Sequence, residues 1–132
     1  MSYNVLIVDD SSIVRAIVKK SLSICGIEIG TVFEASNGRE ALAKLEAEWI
    51  DIVFADINMP EMSGVEMVAK MAEDNLLVNI PVVIISTERN QAQIDELKRQ
   101  GIRAYIKKPF RPEVLRDVVQ YVLSDRGGDH GS

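Results

Sequence analysis

The chain alternates five short apolar runs with stretches of helical spacing, and this alternation restricts its fold more than any other feature. The runs are rich in β-branched residues, which favour strands, and they cover residues 5–8, 31–35, 52–55, 81–86 and 104–107. Between them, apolar residues recur three and four positions apart, as on one face of a helix. Strands that alternate with helices through short links predict an α/β domain, a parallel sheet covered by helices on both faces.

Residues that favour helix ends support five helices. Ser11 or Ser12 can cap the first helix, and Gly101 suits the position after the fourth. Pro112 suits the first position of the fifth. We therefore predict one domain over residues 1–124 and a flexible, Gly-rich tail over 125–132.

The composition excludes several classes of function. The net charge of −5 disfavours direct nucleic-acid binding, which depends on neutralising phosphates. No apolar run approaches the ~20 residues that span a membrane, so we expect no membrane association. A single cysteine, Cys25, fits a reducing compartment, and we expect a cytoplasmic protein. The only histidine, His130, has no partner ligands nearby and is not expected to bind a metal.

Polar and charged side chains follow the predicted strands at the point where each strand ends. Asp9 and Asp10 follow the first, Asp56 ends the third, Ser86 ends the fourth and Lys108 follows the fifth. Right-handed crossovers bring these strand ends to one edge of the sheet, which is the edge where open α/β sheets bind ligands.

Three carboxylates at one edge require compensation by positive charge. Two unit charges ~5 Å apart repel by roughly 3 kcal/mol at an effective dielectric constant of about 20. The available compensators are Lys108 and a bound metal. Oxygen ligands of this kind favour Mg²⁺, with Mn²⁺ and Ca²⁺ as alternatives, over zinc.

Each of these features also has a purely structural interpretation. The two aspartates at 9 and 10 could cap a helix, and Asn58 could belong to an ordinary turn. Lys108 could lie in an exposed loop, and Tyr105 could be a half-buried strand residue. The occurrence of the acidic set and the lysine at one sheet edge favours a functional site.

The motifs together resemble the receiver domain of bacterial two-component response regulators, in particular the small stand-alone chemotaxis (CheY-type) receivers. They are Asp9 and Asp10 after the first strand, DINMPEMSG at 56–64, IIST at 84–87 and KPF at 108–110. The resemblance covers about residues 3–124. It implies a flavodoxin-like, doubly wound five-stranded parallel sheet with strand order 2-1-3-4-5.

The resemblance also implies a role for each acidic residue. Asp56 would be the phosphoacceptor, because a carboxylate can attack phosphorus and form an acyl phosphate. Mg²⁺ would bind the side chains of Asp10 and Asp56 and the backbone carbonyl of Asn58. Asp9 would act mainly through a coordinated water.

A second group would sense the phosphoryl group. Lys108 would pair with its oxygens, and the bond from Lys108 to Pro109 would be cis. Ser86 would donate its hydroxyl, and Tyr105 would swing inward in response. The surface formed by the fourth helix, the fifth strand and the fifth helix would then shift between two populations.

Two positions depart from the usual family pattern. Ser86 stands where Thr is more common and keeps the hydroxyl, so the switch should survive. Thr87 stands where a small residue is favoured, and its branched side chain should slow the loss of phosphate. Asn58, Thr87 and Glu88 are therefore expected to modulate dephosphorylation.

The predicted function is a phosphorylation-controlled receiver fed by a histidine kinase and read by a downstream effector that the sequence does not identify. We expect a monomer or weak dimer. It would not be an enzyme beyond its own phosphoryl transfer and autodephosphorylation.

Three alternatives come from other classes. An aspartyl-phosphate phosphatase would place D-x-D after the first strand and carry a cap insertion. A flavodoxin-like FMN carrier would need phosphate donors where Asp9 and Asp10 stand. A receiver-shaped scaffold that is never phosphorylated would not need the complete acidic set.

Overall fold

The structure, a computed structural model, describes residues 2–128 of the chain. Its five strands are β1 (Tyr3–Val8), β2 (Ile29–Ala35), β3 (Ile52–Ala55), β4 (Val82–Ser86) and β5 (Ala104–Lys107). They form one sheet in the order β2-β1-β3-β4-β5, and every neighbouring pair is parallel. The predicted strand order is confirmed.

Five helices alternate with the strands. They are α1 (Ser12–Ser23), α2 (Gly38–Ala47), α3 (Gly64–Ala72), α4 (Gln91–Arg99) and α5 (Pro112–Gly128). Helix α5 continues four residues past the predicted domain boundary at 124, into the segment expected to be a tail. Residues 129–132 of that segment lie outside the described residues.

Side-chain caps explain where several helices begin. Ser11, rather than Ser12, caps α1, and its Oγ accepts a hydrogen bond of 3.2 Å from the backbone N–H of Val14. Ser63 and Glu66 form a reciprocal capping box at the start of α3. The left-handed backbone of Gly101, with φ of 99°, follows the end of α4 as predicted.

Two hydrophobic layers cover the sheet, one on each face. Because side chains alternate along a strand, Val5 and Ile7 of β1 pack in one layer, together with buried residues of α1 and α5. Leu6 and Val8 pack in the other, with buried residues of α2, α3 and α4. The strands are therefore apolar on both sides, as in a doubly covered parallel sheet.

Backbone hydrogen bonds continue the sheet one residue beyond the strand ends. The N–H of Asp56 donates to the carbonyl of Val8 (3.0 Å), and the N–H of Asp9 donates to the carbonyl of Ala35 (3.1 Å). The N–H of Lys108 likewise donates to the carbonyl of Ser86 (3.0 Å). The charged residues at this edge are thus fixed by the sheet itself.

No helix within residues 2–128 is both long enough and apolar enough to cross a membrane.

Candidate functional site

Three carboxylates meet at the carboxyl edge of the sheet. One oxygen from each of Asp9, Asp10 and Asp56 lies within 4.8 Å of the other two. Asp9 is buried, Asp56 is partly buried and Asp10 is exposed. The cluster therefore has a closed side against the sheet and an open side towards solvent.

Lys108 bridges two of these carboxylates. Its Nζ donates to Asp9 Oδ2 at 2.9 Å and to Asp56 Oδ2 at 3.0 Å. The remaining oxygens accept backbone N–H groups, from Ser11 to Asp9 Oδ1 (2.9 Å) and from Ile57 to Asp56 Oδ1 (2.7 Å). Each carboxylate is therefore held at both oxygens, which fixes its orientation. The structure therefore brings the three aspartates and Lys108 together, as their positions after the strands predict.

The pKa values of Asp9 and Lys108 are both raised, for different reasons. Burial raises the pKa of Asp9, although hydrogen bonds from Ser11 and Lys108 oppose the shift. Burial alone would lower the pKa of Lys108, but its hydrogen bonds to Asp9 and Asp56 outweigh burial and raise it. Lys108 therefore remains a cation throughout the physiological range.

The cluster has the donor chemistry of a hard divalent cation. Carboxylate oxygens from three residues converge, and the exposed side at Asp10 leaves room for water ligands, which Mg²⁺ retains when it binds proteins. Asn58, which is exposed, lies two residues beyond Asp56 in the connection from β3 to α3. These residues fit a metal such as Mg²⁺ or Mn²⁺.

Arg15, which the sequence analysis did not single out, supports the cluster from α1. Its Nη1 donates to the backbone carbonyl of Asp9 at 2.5 Å, and its Nε donates to Glu34 Oε1 at 2.9 Å. The sequence did offer a signal for this contact. Arg15 has a long cationic side chain and lies five residues after Asp10, near the start of the helix that follows.

The connection that carries Asn58 is packed closely against Asp56. The N–H of Gly64 donates to the carbonyl of Ile57 at 2.7 Å. A Cβ added at Gly64 would lie 2.2 Å from the carbonyl oxygen of Asp56, a distance that real side chains do not reach. Only glycine fits there without moving the backbone of Asp56.

The start of α2 holds the far end of the same connection. The N–H of Gly38 donates to the carbonyl of Met62 at 3.0 Å. Buried Asn37 donates through Nδ2 to the carboxylate of Glu61 at 3.3 Å, and Glu61 has a left-handed backbone, with φ of 63°. These contacts join elements that are distant in sequence, so no local sequence motif predicts them.

The predicted switch residues lie together beside the acidic cluster. Ser86 is fully buried, and its Oγ accepts a hydrogen bond from the N–H of Glu88 at 3.1 Å. The phenol of half-buried Tyr105 donates to the backbone carbonyl of Glu88. Burial raises the pKa of Tyr105, while a hydrogen bond with Ser86 opposes the shift. Thr87 is exposed, and a cis peptide bond joins Lys108 to Pro109.

Comparison with known protein families gives a match that spans most of the domain. The response regulator receiver domain matches residues 5–120. The chain belongs to the response regulator receiver family.

Known receivers resemble this chain over nearly their whole length. The chemotaxis protein CheY1 of Helicobacter pylori is 42% identical over 119 residues, which are 89% of this chain and 94% of that protein. A CheY homologue of Campylobacter jejuni is 36% identical over 94% of this chain and 95% of its own. The solved structure of the chemotaxis response regulator CheY4 of Vibrio cholerae is 35% identical, with a TM-score of 0.81, over 92% of this chain and 99% of its own.

These matches confirm the family, the fold and the relation to CheY-type receivers that the motifs predict. They connect the chain with two-component signalling, in which receivers of this type act together with kinases and effectors. The roles of individual site residues, which the resemblance implies, remain predictions.

Proposed function

We propose that this protein is a phosphorylation-activated receiver that accepts a phosphoryl group from a histidine kinase on Asp56, with Mg²⁺ as cofactor. The observation that carries the proposal is the contact of Lys108 Nζ with both Asp9 and Asp56 at the edge where three carboxylates converge. A partly buried cation held against Asp56 is suited to receive the oxygens of an incoming phosphoryl group.

The chemical step is a displacement at phosphorus. A carboxylate oxygen of Asp56 forms a bond to phosphorus while the bond from phosphorus to the kinase imidazole nitrogen breaks. The bonding electron pair leaves with that nitrogen. Dephosphorylation replaces the Asp56 oxygen by water, so the carboxylate and inorganic phosphate are released.

The chain's own residues would hold the metal and the phosphoryl group. Asp10 and Asp56 would bind Mg²⁺ through their side chains, Asn58 through its backbone carbonyl and Asp9 through water. Bound there, Mg²⁺ would supply positive charge that offsets the carboxylates and the phosphoryl oxygens. Lys108 would exchange a carboxylate partner for a phosphoryl oxygen.

The readout would pass through the buried hydroxyl. Ser86 lies one hydrogen bond from Glu88, and Tyr105 contacts the same residue, so a phosphoryl group that recruits Ser86 would disturb both contacts. Helix α4, strand β5 and helix α5 would then shift between two populations. Asn58, Thr87 and Glu88 would set the lifetime of the phosphorylated form.

The remaining assignments follow from this chemistry. The partners would be a histidine kinase and a downstream effector protein, in the cytoplasm, with the receiver acting as a monomer or weak dimer. Its catalysis would be limited to its own phosphorylation and dephosphorylation, so it would not be a conventional enzyme.

The test is the intact mass of the protein after incubation with acetyl phosphate and Mg²⁺. We expect a gain of one phosphoryl group that is absent when EDTA is added and absent in the Asp56→Asn variant. Circular dichroism on the same samples verifies that both proteins are folded. Failure of the folded wild-type protein to gain mass from acetyl phosphate and from a panel of histidine kinases would instead favour a receiver-shaped scaffold.

A further inference from the structure

A second concave site lies at the opposite edge of the sheet from Asp56. A cavity of about 690 Å³ opens between the end of α2 and the connection from α3 to β4. Its floor is formed by the apolar side chains of Leu45, Ile50, Leu77 and Ile80. The volume is within the range of ligand-binding clefts. We call this site the Trp49 cleft after the aromatic residue at its rim.

The rim of the Trp49 cleft carries large apolar side chains that the fold does not bury. Leu76 is 88% exposed and Trp49 is 74% exposed. They are the two most exposed large hydrophobic side chains in the part of the chain that the structure describes. An apolar floor with an apolar rim favours the insertion of a further apolar group.

Trp49 is held in place by a network of hydrogen bonds. Its indole Nε1 donates to Asp51 Oδ1 at 3.1 Å, and its backbone carbonyl accepts from Asn4 Nδ2 at 2.9 Å. The backbone N–H of Asn4 donates to the other Asp51 oxygen at 2.8 Å. A ring that is already ordered loses little conformational entropy on binding, and tryptophan is enriched among the residues that dominate interfaces.

The charge around the Trp49 cleft is predominantly negative. Three carboxylates line it, those of Glu46, Glu48 and Asp74, together with one guanidinium, that of Arg103. A shallower groove continues past Glu46 and Asp74 and adds one further carboxylate and one lysine, so the surface remains acidic. This pattern disfavours nucleic acids and acidic peptides and favours a cationic ligand.

We propose that the Trp49 cleft binds a short segment of a partner protein in which a large apolar side chain is flanked by lysine or arginine. The apolar side chain would enter between Trp49 and Leu76, above the buried floor. The flanking cations would pair with the carboxylates of the rim, and one could also stack on the indole ring. The cleft is thus a docking site for a basic, apolar peptide.

The position of the cleft makes docking independent of phosphorylation. Trp49 precedes the start of β3, whereas Asp56 follows the end of the same strand, so the two sites lie at opposite ends of the sheet. A peptide in the cleft would leave the acidic cluster open. The inference therefore stands whether or not Asp56 accepts a phosphoryl group.

Trp49 is the only tryptophan of the chain, so its fluorescence reports directly on the cleft. The experiment titrates the full chain with the amidated hexapeptide Lys-Leu-Leu-Lys-Leu-Arg and, separately, with its glutamate counterpart Glu-Leu-Leu-Glu-Leu-Glu. We expect the basic peptide to produce a saturable shift of the tryptophan emission to shorter wavelength, and the glutamate peptide to produce no shift. The affinity should fall as salt is raised, because exposed charges are screened.

Two variants locate the binding. Leu76→Asp and the double variant Glu46→Lys with Glu48→Lys should each weaken binding of the basic peptide by about tenfold or more. Ile24→Asp is the matched control, since Ile24 is a 64% exposed apolar residue that does not line the cleft, and it should bind as wild type does. Asp56→Asn should also bind normally, which separates this result from the phosphorylation test.

Three results would overturn the proposal. The first is the lack of a saturable change with the basic peptide, and the second is an equal response to the glutamate peptide. The third is an emission shift that grows with protein concentration in the absence of peptide and disappears in Leu76→Asp. Sedimentation analysis would then identify a second copy of the chain as the occupant.

Discussion

Arg15 donates a hydrogen bond of 2.5 Å from Nη1 to the backbone carbonyl of Asp9, so a side chain of α1 holds the backbone of the acidic cluster. The same guanidinium is anchored at 2.9 Å by Glu34, an exposed residue of β2. The cluster is therefore supported by an ion pair that touches none of its carboxylates.

We expect Arg15→Ala to weaken Mg²⁺ binding by roughly tenfold, because the loss of groups that orient metal ligands commonly has an effect of this size. Isothermal titration calorimetry with Mg²⁺ measures this directly. Arg15→Lys should restore little, since an ammonium cannot span Asp9 and Glu34 as the planar guanidinium does. Lys19→Ala is the control, because Lys19 lies 3.9 Å from Glu34 and has no hydrogen bond to Asp9. Equal affinities in all four proteins would contradict a positioning role for Arg15.

Gly64→Ala should lower the free energy of unfolding by about 2 kcal/mol, the usual effect of forcing an extra carbon into a close-packed site. The added Cβ would meet the carbonyl oxygen of Asp56 at 2.2 Å. Urea denaturation measures the change. Gly26→Ala is the comparison, since Gly26 has φ of 76° but open space around it, and its substitution should cost about 1 kcal/mol because a Cβ is unfavourable in the left-handed region. A smaller loss of unfolding free energy for Gly64→Ala than for Gly26→Ala would show that the connection after β3 can shift to accommodate the added Cβ.

Thr87→Ala should lose its phosphoryl group faster than the wild-type protein, because we expect the exposed, branched side chain of Thr87 to crowd the attacking water. Intact mass, followed over time after removal of acetyl phosphate, gives the rate. Thr87→Val keeps the branch without the hydroxyl and should stay slow, whereas Thr87→Ser keeps the hydroxyl without the branch and should be fast. The reverse order would assign the effect to hydrogen bonding rather than to steric crowding.

Glu40→Gln should destabilise the protein at neutral pH but not in strong acid. The carboxylate of Glu40 accepts two hydrogen bonds from Ser36, one from the backbone N–H at 2.9 Å and one from the hydroxyl at 2.8 Å. Both lower the pKa of Glu40 from its ordinary value of 4.5, and the backbone bond has the larger effect. A carboxylate whose pKa is lower in the folded state contributes stability above pH 4.5 and loses it as the pH falls through the folded pKa.

The expected difference between wild type and Glu40→Gln is about 0.5 kcal/mol at pH 7, in line with exposed charged pairs. Urea unfolding at a series of pH values should show that this difference in the free energy of unfolding disappears as the pH falls below 4.5. Glu113→Gln, an exposed carboxylate in the first turn of α5, serves as the control for general charge effects. A pH-independent difference would mean that the Ser36 contacts are not specific to the ionised form.

The parts of this fold that follow from sequence are those encoded locally. Apolar periodicity predicts the five strands and five helices, and the residues after the strands predict which side chains share an edge. The strand order itself came from the family resemblance. The extension of α5 beyond residue 124 escaped the prediction, because glycine and charged residues there favour a tail by composition alone.

The contacts that support the site could not be predicted in the same way. Arg15 reaches Asp9 through a turn of helix, Gly38 meets Met62 across two elements, and Gly64 is constrained by a carbonyl eight residues earlier. Each depends on distances that exist only after the layers have packed. The Trp49 cleft is likewise formed by residues from helix α2 and from three separate connections, and no one of these segments predicts it alone.

The ion pair between Lys108 and Asp9 joins residues 99 positions apart. During synthesis, a nascent chain that has emerged as far as Asp56 carries all three carboxylates but not the cation that two of them contact. Asp56 and its counter-charge therefore come together only after Lys108 has been synthesised. A truncated product that ends before β5 would contain Asp56 without the lysine that completes its surroundings, so its carboxylates would lack the positive charge that the folded domain places against them.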